Sequence, residues 1–470
     1  MIRAYFFDLD DTLFDTQEQI KKPAYEQIIK ELGVVNKDLR NLHVLGSEKE
    51  ALARKIIEEQ VNHISLLPGM EELLTSITEK KFLITKGQKA LQEKKIQALG
   101  IKDSFDEIIV TNNKEKIFKE LVKKHHLAPQ EVLVIGDKEY DELAVARKLG
   151  LKTFNVRPRI VSLGGGTGQP VVLEGVKEYS RDITAIVTMA DDGGSSGRLR
   201  EELGVLPPGD VRNCLIALSE SEELLHNLFR YRFTQGGLEG HNFGNLFLSA
   251  LEGVTSSFES AVLEASKILN IKGKVIPISL EPMTLCATLN DDSVLVGEKN
   301  VFNKPKNRIK QLSLQNPVKS TQGVLDAIKR ADIIVLGPGS LYTSTITNLL
   351  VEDVQKALLQ SQAKIIYVTN LFTEPKETEE FMGEDFVYEI TKYLEKKPDL
   401  VIMNNKTPPE EALLRYKKEE KEFVEPIAEH LCTDLLKEHS LVWEKKEWLH
   451  HDAKKLGTTI LWYWREQIKK

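Results

Sequence analysis

Short, wholly apolar runs that end in carboxylates, hydroxyls or glycines recur along this chain, and they admit few folds. The first, Ala4-Tyr5-Phe6-Phe7, leads straight into Asp8-Leu9-Asp10. A strand that is apolar at every position is buried on both faces, as in a parallel sheet covered by helices. The C-terminal end of such a strand opens onto the crevice where α/β folds place their sites. Comparable runs at 82–84, 107–110 and 132–135 are separated by helix-like stretches, the βαβ rhythm of a parallel sheet. Residues 17–65 carry no such run. Their apolar spacing (Ile20, Tyr25, Ile28, Ile29, Leu32, then Leu52, Ile56, Ile57) is helical and predicts a cap at about 16–66.

The pattern restarts after Arg157-Pro158-Arg159 with Ile160-Val161-Ser162-Leu163, which enters Gly164-Gly165-Gly166-Thr167-Gly168. Further strand-like runs at 183–189, 275–278, 333–336, 365–368 and 400–403 carry the α/β reading onward. The expected fold class is α/β. Two Rossmann-like, doubly wound parallel-sheet domains are predicted at 1–157 and 158–470, the first with the small helical cap.

Composition narrows the partners. The chain carries 64 basic and 71 acidic residues, a net charge of −7, and residues 1–157 hold 26 of each sign, so the excess lies wholly in the second block. This gives no electrostatic footprint for nucleic acid, and phosphate must be bound by locally placed groups. No apolar run approaches the roughly 18 residues of a membrane span, so no membrane insertion is expected. The N-terminal apolar stretch is too short for a signal-peptide core, and a cytoplasmic location is expected. Cys214, Cys286 and Cys432 are far apart and suggest neither disulfides nor a zinc site. Self-association is left open.

In the first block, acidic residues fall at strand ends. Asp8 and Asp10 at i and i+2 of an extended segment point the same way and can converge on one cation and one phosphoryl group. Asp137 and Asp141 follow the run at 132–135. Hard oxygen donors suit Mg²⁺, which takes one or two carboxylates plus substrate phosphate. Thr85 supplies a hydroxyl donor, and Lys114 or Lys116 a cation, Lys114 being favoured because Lys116 adjoins the apolar Ile117-Phe118 pair. These groups suit phosphoryl transfer. A lone Asp-x-Asp more often caps a helix or forms a turn.

Asp8-Leu9-Asp10-Asp11-Thr12, Thr85, a lysine, and Gly136-Asp137 with Asp141 come in the order of the four motifs of the haloacid dehalogenase superfamily, which residues 1 to about 157 resemble. Leu67-Pro68-Gly69 resembles the re-entry after a helical cap. The resemblance implies Asp8 as nucleophile and Asp10 as acid/base. It also implies Mg²⁺ held by Asp8, the Asp10 carbonyl and Asp137, with Asp141 in support. A carboxylate at position 10 points to phosphatase rather than dehalogenase chemistry.

In the second block the loop Gly164 to Gly168 offers backbone N–H groups and a helix start to an anion. Gln169 stands where a dinucleotide fingerprint has its last glycine and no Gly-Lys-Ser/Thr follows, so a phosphate loop and a tight turn both remain open. Asp191 and Asp192 end the next strand, near where a carboxylate receives ribose hydroxyls. Ser195, Ser196 and Arg198, then Asp210, Arg212 and Asn213, are flexible, arginine-flanked segments able to wrap a diphosphate. His241 and Asn245, and Gly337, Gly339, Ser340 and Tyr342, again place polar groups just before helices. A lone His241 would more often be structural.

These clusters in order resemble the CofD/YvcK family over 158–470, and Ala190 to Arg198 and Leu206 to Asn213 resemble its YvcK branch. The resemblance implies binding of a nucleotide sugar such as UDP-N-acetylglucosamine and influence on gluconeogenic and cell-wall precursor supply and cell shape. Tyr416 matches a family tyrosine implicated with that ligand. His450, in Leu449-His450-His451-Asp452, stands where the family commonly has an arginine, and an imidazole cannot make a bidentate fork. The chain thus reads as a Mg²⁺-dependent phosphatase acting on a phosphorylated small molecule, fused to a nucleotide-sugar-binding regulator. Two alternatives are a second block that transfers 2-phospho-L-lactate, as the CofD branch does, and a first block that is catalytically idle.

Overall fold

Ala4–Phe7 (β1) is buried at every position and takes the centre of a parallel sheet. Its neighbours are Lys80–Thr85 (β2), Glu107–Val110 (β3), Val132–Gly136 (β4) and Lys152–Asn155 (β5), in the order β3-β2-β1-β4-β5. Alternation along β1 explains its unbroken apolarity. Tyr5 and Phe7 enter one core, with Leu83 and Ile135, while Ala4 and Phe6 enter another on the opposite face, with Phe82, Val134 and Phe118.

The computed structural model describes residues 1–34, 39, 42–180, 182–303, 307–437, 441–443 and 446–469. They divide into two units, Met1–Arg157 with Leu461–Lys470, and Pro158–Ile460. Leu461–Lys470, read from the sequence as the end of the second block, therefore belongs to the first unit. The cause is packing. Trp464 stacks on Phe154 with centroids 4.8 Å apart and donates its indole N–H to the Asn155 carbonyl at 2.8 Å, while Ile468 joins the core of Phe7 and Phe105.

Between β1 and β2 the described residues form helices Lys22–Leu32 and Ser47–Gln60, with short helical turns around them. This insertion has its own small core of Ala24, Ile28, Leu39, Ala53 and Ile56. Of the apolar positions read from the sequence, Ile28 and Ile56 lie in that core with Tyr25, Leu32 and Ile57 packed against it, Ile20 joins the core of Phe7 instead, and Ile29 and Leu52 are exposed.

The second unit is built on a seven-stranded parallel sheet. Its first strands are Ile160–Gly164 (β6), Ile183–Val187 (β7) and Lys274–Pro277 (β8). An antiparallel side sheet of Leu285–Leu289 (β9), Val294–Val296 (β10) and Ile309–Leu314 (β11) intervenes. Ile333–Leu336 (β12), Lys364–Val368 (β13), Leu400–Asn404 (β14) and Leu431–Thr433 (β15) complete the main sheet, in the order β15-β14-β13-β12-β6-β7-β8. The chain winds one way from β6 to β8 and the other way from β12 to β15. The crevice of a doubly wound sheet therefore lies beyond β6 and β12, where the Gly164 and Gly337 loops emerge. Among the described residues no helix is long and apolar enough to cross a membrane.

Candidate functional sites

In the first unit the register brings the strand ends together. Phe7 pairs with Leu83 of β2 and Ile135 of β4, and the Asp8 N–H donates to the Ile135 carbonyl at 3.0 Å. Asp8, Thr85 and Asp137 thus stand side by side at the C-terminal edge. Lys114, first residue of helix Lys114–Lys124, reaches in from the end of β3 and is almost wholly buried, its ammonium 2.8 Å from Asp8 and 3.1 Å from Glu142. Lys116 is exposed and pairs with Glu120. The Thr12 hydroxyl donates to Asp137 at 3.5 Å.

Asp8, Asp137 and Glu142 each offer an oxygen within 4.8 Å of the others. An octahedral Mg²⁺ shell is about 4 Å across, so this donor set fits a hard divalent cation with little adjustment. The electrostatics agree. Burial pushes the Asp8 carboxyl up to about 6 against the pull of Lys114, and Glu142 adds to the rise. Asp137 is pushed up to about 7 by burial, with Glu142, Asp11 and Asp8 adding repulsion. A cation would offset that cost.

The third carboxylate is a correction to the sequence reading. Asp141 is only half-buried, at the start of helix Glu142–Lys148, and is not in the cluster; its neighbour Glu142 is. One Glu142 oxygen accepts the N–H groups of Asp137 at 3.1 Å and Lys138 at 2.8 Å, and the other accepts from Lys114. Gly136 makes room for it, since a Cβ there would lie 2.5 Å from the Glu142 oxygen. The Asp10 side chain is also outside the cluster and is held elsewhere. Lys95 lies 2.6 Å from one of its oxygens, Thr16 donates to that oxygen at 3.0 Å, and Gln92 donates to the other at 2.7 Å. Burial opposes ionisation of Asp10, yet Lys95, Gln92 and Thr16 hold its carboxyl below the usual range. Beyond it, buried Arg157 grips the Asp11 carbonyl at 2.8 Å and the Asp15 carboxylate at 2.7 Å, fixing the loop.

In the second unit, Gly168 shows why glycines are needed. A Cβ there would lie 2.2 Å from the Pro338 carbonyl, so the loop after β6 and the loop after β12 touch backbone to backbone. Gly339 faces Gly165 across the same contact, and Gly165 also faces Thr188 and Asp210. Asp210 accepts from the Gly166 N–H; burial and Asp191 push it up to about 7. Asp191 accepts from the Gly193 N–H at 2.9 Å and from Ser196. A polar chain then runs through buried Arg212, which donates to Asn245 and Asn213, each at 2.7 Å, and Asn213 donates back to the Gly166 carbonyl at 3.4 Å. Burial and Arg232 pull the guanidinium down to about 10, so it stays charged near neutrality. Ser195 and His241 Nδ1 are 3.3 Å apart beside it.

Other expected residues stand elsewhere. Thr167 is exposed at the start of helix Gly168–Val176, and Ser340 precedes the turn Leu341–Ile346. Gln169 is structural, its amide tying Ser162 to Ile186 at 3.0 Å each. Arg198 donates to the Glu239 carbonyl at 3.0 Å. Tyr342 is buried, with its hydroxyl toward Glu389. Tyr416 stacks flat on Phe372 at 3.9 Å, and its hydroxyl accepts the Leu449 N–H at 2.7 Å. Burial lowers His450, whose carbonyl accepts from Lys437. Asp192 accepts the Lys299 N–H at 2.7 Å and lies beside Glu298, which the sequence reading missed and which burial, Asp191 and Asp192 push up to about 8. Gln92, Lys95 and Glu142 were missed as well. Their one sequence signal is i, i+3 spacing for Gln92 and Lys95.

Comparison with known proteins agrees with both halves. A family model for haloacid dehalogenase-like hydrolases matches residues 5–156, and one described as 2-phospho-L-lactate transferase CofD matches 160–439. The gluconeogenesis factor of Bacillus subtilis is 39% identical over 313 residues, 65% of this chain and 98% of that protein. The gluconeogenesis factor of Halalkalibacterium halodurans is 40% identical over 312 residues, 65% and 96%. A crystal structure of a UPF0052-family protein from Bacillus halodurans superposes with a TM-score of 0.61 at 38% identity, covering 65% of this chain and 99% of that one. A polar crevice built on the Gly164 and Gly337 loops, and relatives matched along almost their whole length, make this chain a member of the CofD/gluconeogenesis-factor family that carries a haloacid dehalogenase-like hydrolase domain ahead of the family domain.

Proposed function

We propose that the first unit is a Mg²⁺-dependent phosphomonoesterase and that the second binds a nucleotide sugar such as UDP-N-acetylglucosamine. The first reading is carried by Asp8 standing beside Thr85, Lys114 and Asp137, with Asp10 alongside. An Asp8 oxygen attacks phosphorus as the bond to the leaving oxygen breaks, and Asp10, once it has taken up a proton from solvent against the pull of Lys95, delivers that proton to the leaving oxygen. Lys114 and Thr85 hold the phosphoryl oxygens. Asp10 then takes a proton from water, whose oxygen attacks phosphorus, breaks the Asp8–phosphorus bond and releases phosphate. Mg²⁺ held by Asp8 and Asp137, with Glu142 behind them, would neutralise charge on the phosphoryl oxygens. Phosphate release that requires Mg²⁺ and stops with Asp8→Asn supports this; activity that survives Asp8→Asn overturns it.

The second reading is carried by Arg212 in its asparagine cradle beside the Gly164–Gly168 loop, a buried cation next to backbone able to meet a diphosphate. The chain is then a cytoplasmic regulator of carbon flow into gluconeogenesis and cell-wall precursors, with effects on cell shape. Its partners are small molecules, a phosphorylated substrate and a nucleotide sugar. Calorimetry with UDP-N-acetylglucosamine should show tight binding without turnover. Turnover of a nucleotide-activated small acid would instead favour the transferase reading.

A further inference from the structure

Gln92 and Lys95 lie on helix Lys89–Ala98, whose sequence otherwise reads as a solvated Lys/Glu face. They are nevertheless only 2% and 6% exposed. Burying an amide and an ammonium is unfavourable unless partners await them, and here the partners are catalytic groups of the proposed phosphatase. The Gln92 amide nitrogen lies 2.7 Å from Asp10, 2.8 Å from the Thr85 hydroxyl and 2.8 Å from the Lys86 carbonyl. A carboxylate and a carbonyl can only accept, so the nitrogen must face them, which orients the amide without ambiguity. Among the described residues, the Gln92 carbonyl oxygen then finds no hydrogen-bond partner although it is buried. A residue selected for packing alone would not carry that penalty.

We propose that Gln92, with Lys95 one turn along, is a positioning residue that aims Asp10 and Thr85 at the reacting phosphoryl group; this rests on the phosphatase reading above. Lys95 and Thr16 hold one Asp10 oxygen and Gln92 the other, so the carboxylate plane is fixed on both sides. The two Gln92 amide protons are shared among Asp10, the Lys86 carbonyl and the Thr85 oxygen, and an oxygen that accepts in this way leaves the threonine's own proton to donate to a phosphoryl oxygen. One amide thereby sets the acid that protonates the leaving group and the donor that holds the phosphoryl group.

Leaving-group dependence tests this. A group that aims the acid matters most when the leaving oxygen needs a proton, so phenyl phosphate should suffer more than 4-nitrophenyl phosphate, which has the same shape near phosphorus. In the full chain with Mg²⁺, Gln92→Met and Lys95→Met should each lower kcat for phenyl phosphate by roughly 100-fold, the usual weight of general-acid catalysis. The loss for 4-nitrophenyl phosphate should be less than about tenfold. Two variants are used so that a folding defect in one leaves the other to decide. Equal losses on both substrates, or none, overturn the positioning role. Hydrolysis that survives Asp8→Asn, or none by the wild type, overturns the phosphatase reading itself.

Discussion

Replacing Gly136 by alanine isolates one contact on which the first site depends. The new Cβ would lie 2.5 Å from Glu142 Oε1, 2.6 Å from its Cγ and 2.9 Å from its Cδ, all inside van der Waals contact. Gly136 is absent from the positive-φ glycines, so its backbone accepts alanine and only space is at issue. Glu142 is buried and cannot retreat without releasing the Asp137 and Lys138 N–H groups. Each hydrogen bond to a charged acceptor contributes roughly 1.5 kcal/mol, and overpacking costs about 1 kcal/mol or more. The expected destabilisation is about 4 kcal/mol, or roughly 10 °C in the melting of a domain this size. Thermal melts with and without Mg²⁺ read it, and the stabilisation by Mg²⁺ should shrink because Asp137 loses its anchor. Gly253, itself exposed near the end of helix Phe243–Thr255, is the contrast. Among the described residues nothing lies within 4 Å of a Cβ there, so Gly253→Ala should stabilise by roughly 0.5 kcal/mol. A Gly136→Ala protein that melts within a degree of wild type would refute the reasoning.

Trp464→Ala removes a ring stacked on Phe154 and an indole hydrogen bond, and should destabilise the first unit by about 2 kcal/mol while nucleotide-sugar binding is unchanged, read by calorimetry. His451 is buried beside Thr369 and His450, and burial pulls its imidazole down to about 4. Because this folded value lies below the ordinary 6.5, the unfolded chain binds the extra proton first. The contribution of about 3 kcal/mol is thus complete above about pH 6.5 and lost as pH falls towards 4. Urea titrations of wild type and His451→Gln across that window should show the slope only in wild type. Tyr416→Phe leaves the Leu449 N–H without its acceptor and should cost about 1 kcal/mol, measured by the same titration.

Much of this was legible from the residues. The run at 4–7 could be placed because a strand with Tyr5 and Phe7 in one core and Ala4 and Phe6 in another has no polar position to confuse it. The cap could be read from the helical spacing of Tyr25, Ile28, Leu32, Ile56 and Ile57, since helices with their own core keep helical periodicity. What escaped depended on orientation or distance. Asp141 and Glu142 are adjacent carboxylates at a helix start, and it is the room left by Gly136 and the donors Lys114, Asp137 N–H and Lys138 N–H that hold Glu142 inward. Gln92 and Lys95 lie within a charged helix, and their burial comes from Asp10, far away in sequence. Tyr416 entered through the family resemblance, and its stacking on Phe372 depends on a residue 44 positions away that the sequence does not pair with it. The spacing of Leu461, Trp464 and Ile468 marks a helix face without naming the unit that buries it. The side sheet β9–β11 is half-exposed, with Lys and Gln among its positions, and so lacked the wholly apolar signature of the main strands.

If the first unit works as proposed, Asp8 forms a covalent phosphoryl intermediate that can be trapped. Full-length protein is incubated with 4-nitrophenyl phosphate and Mg²⁺, quenched, and treated with borohydride, which reduces an aspartyl phosphate to homoserine. Homoserine should appear at position 8 and at no other aspartate, dependent on both substrate and Mg²⁺. Phosphate released with Asp8 unmodified, or the label found on a different residue, would contradict it.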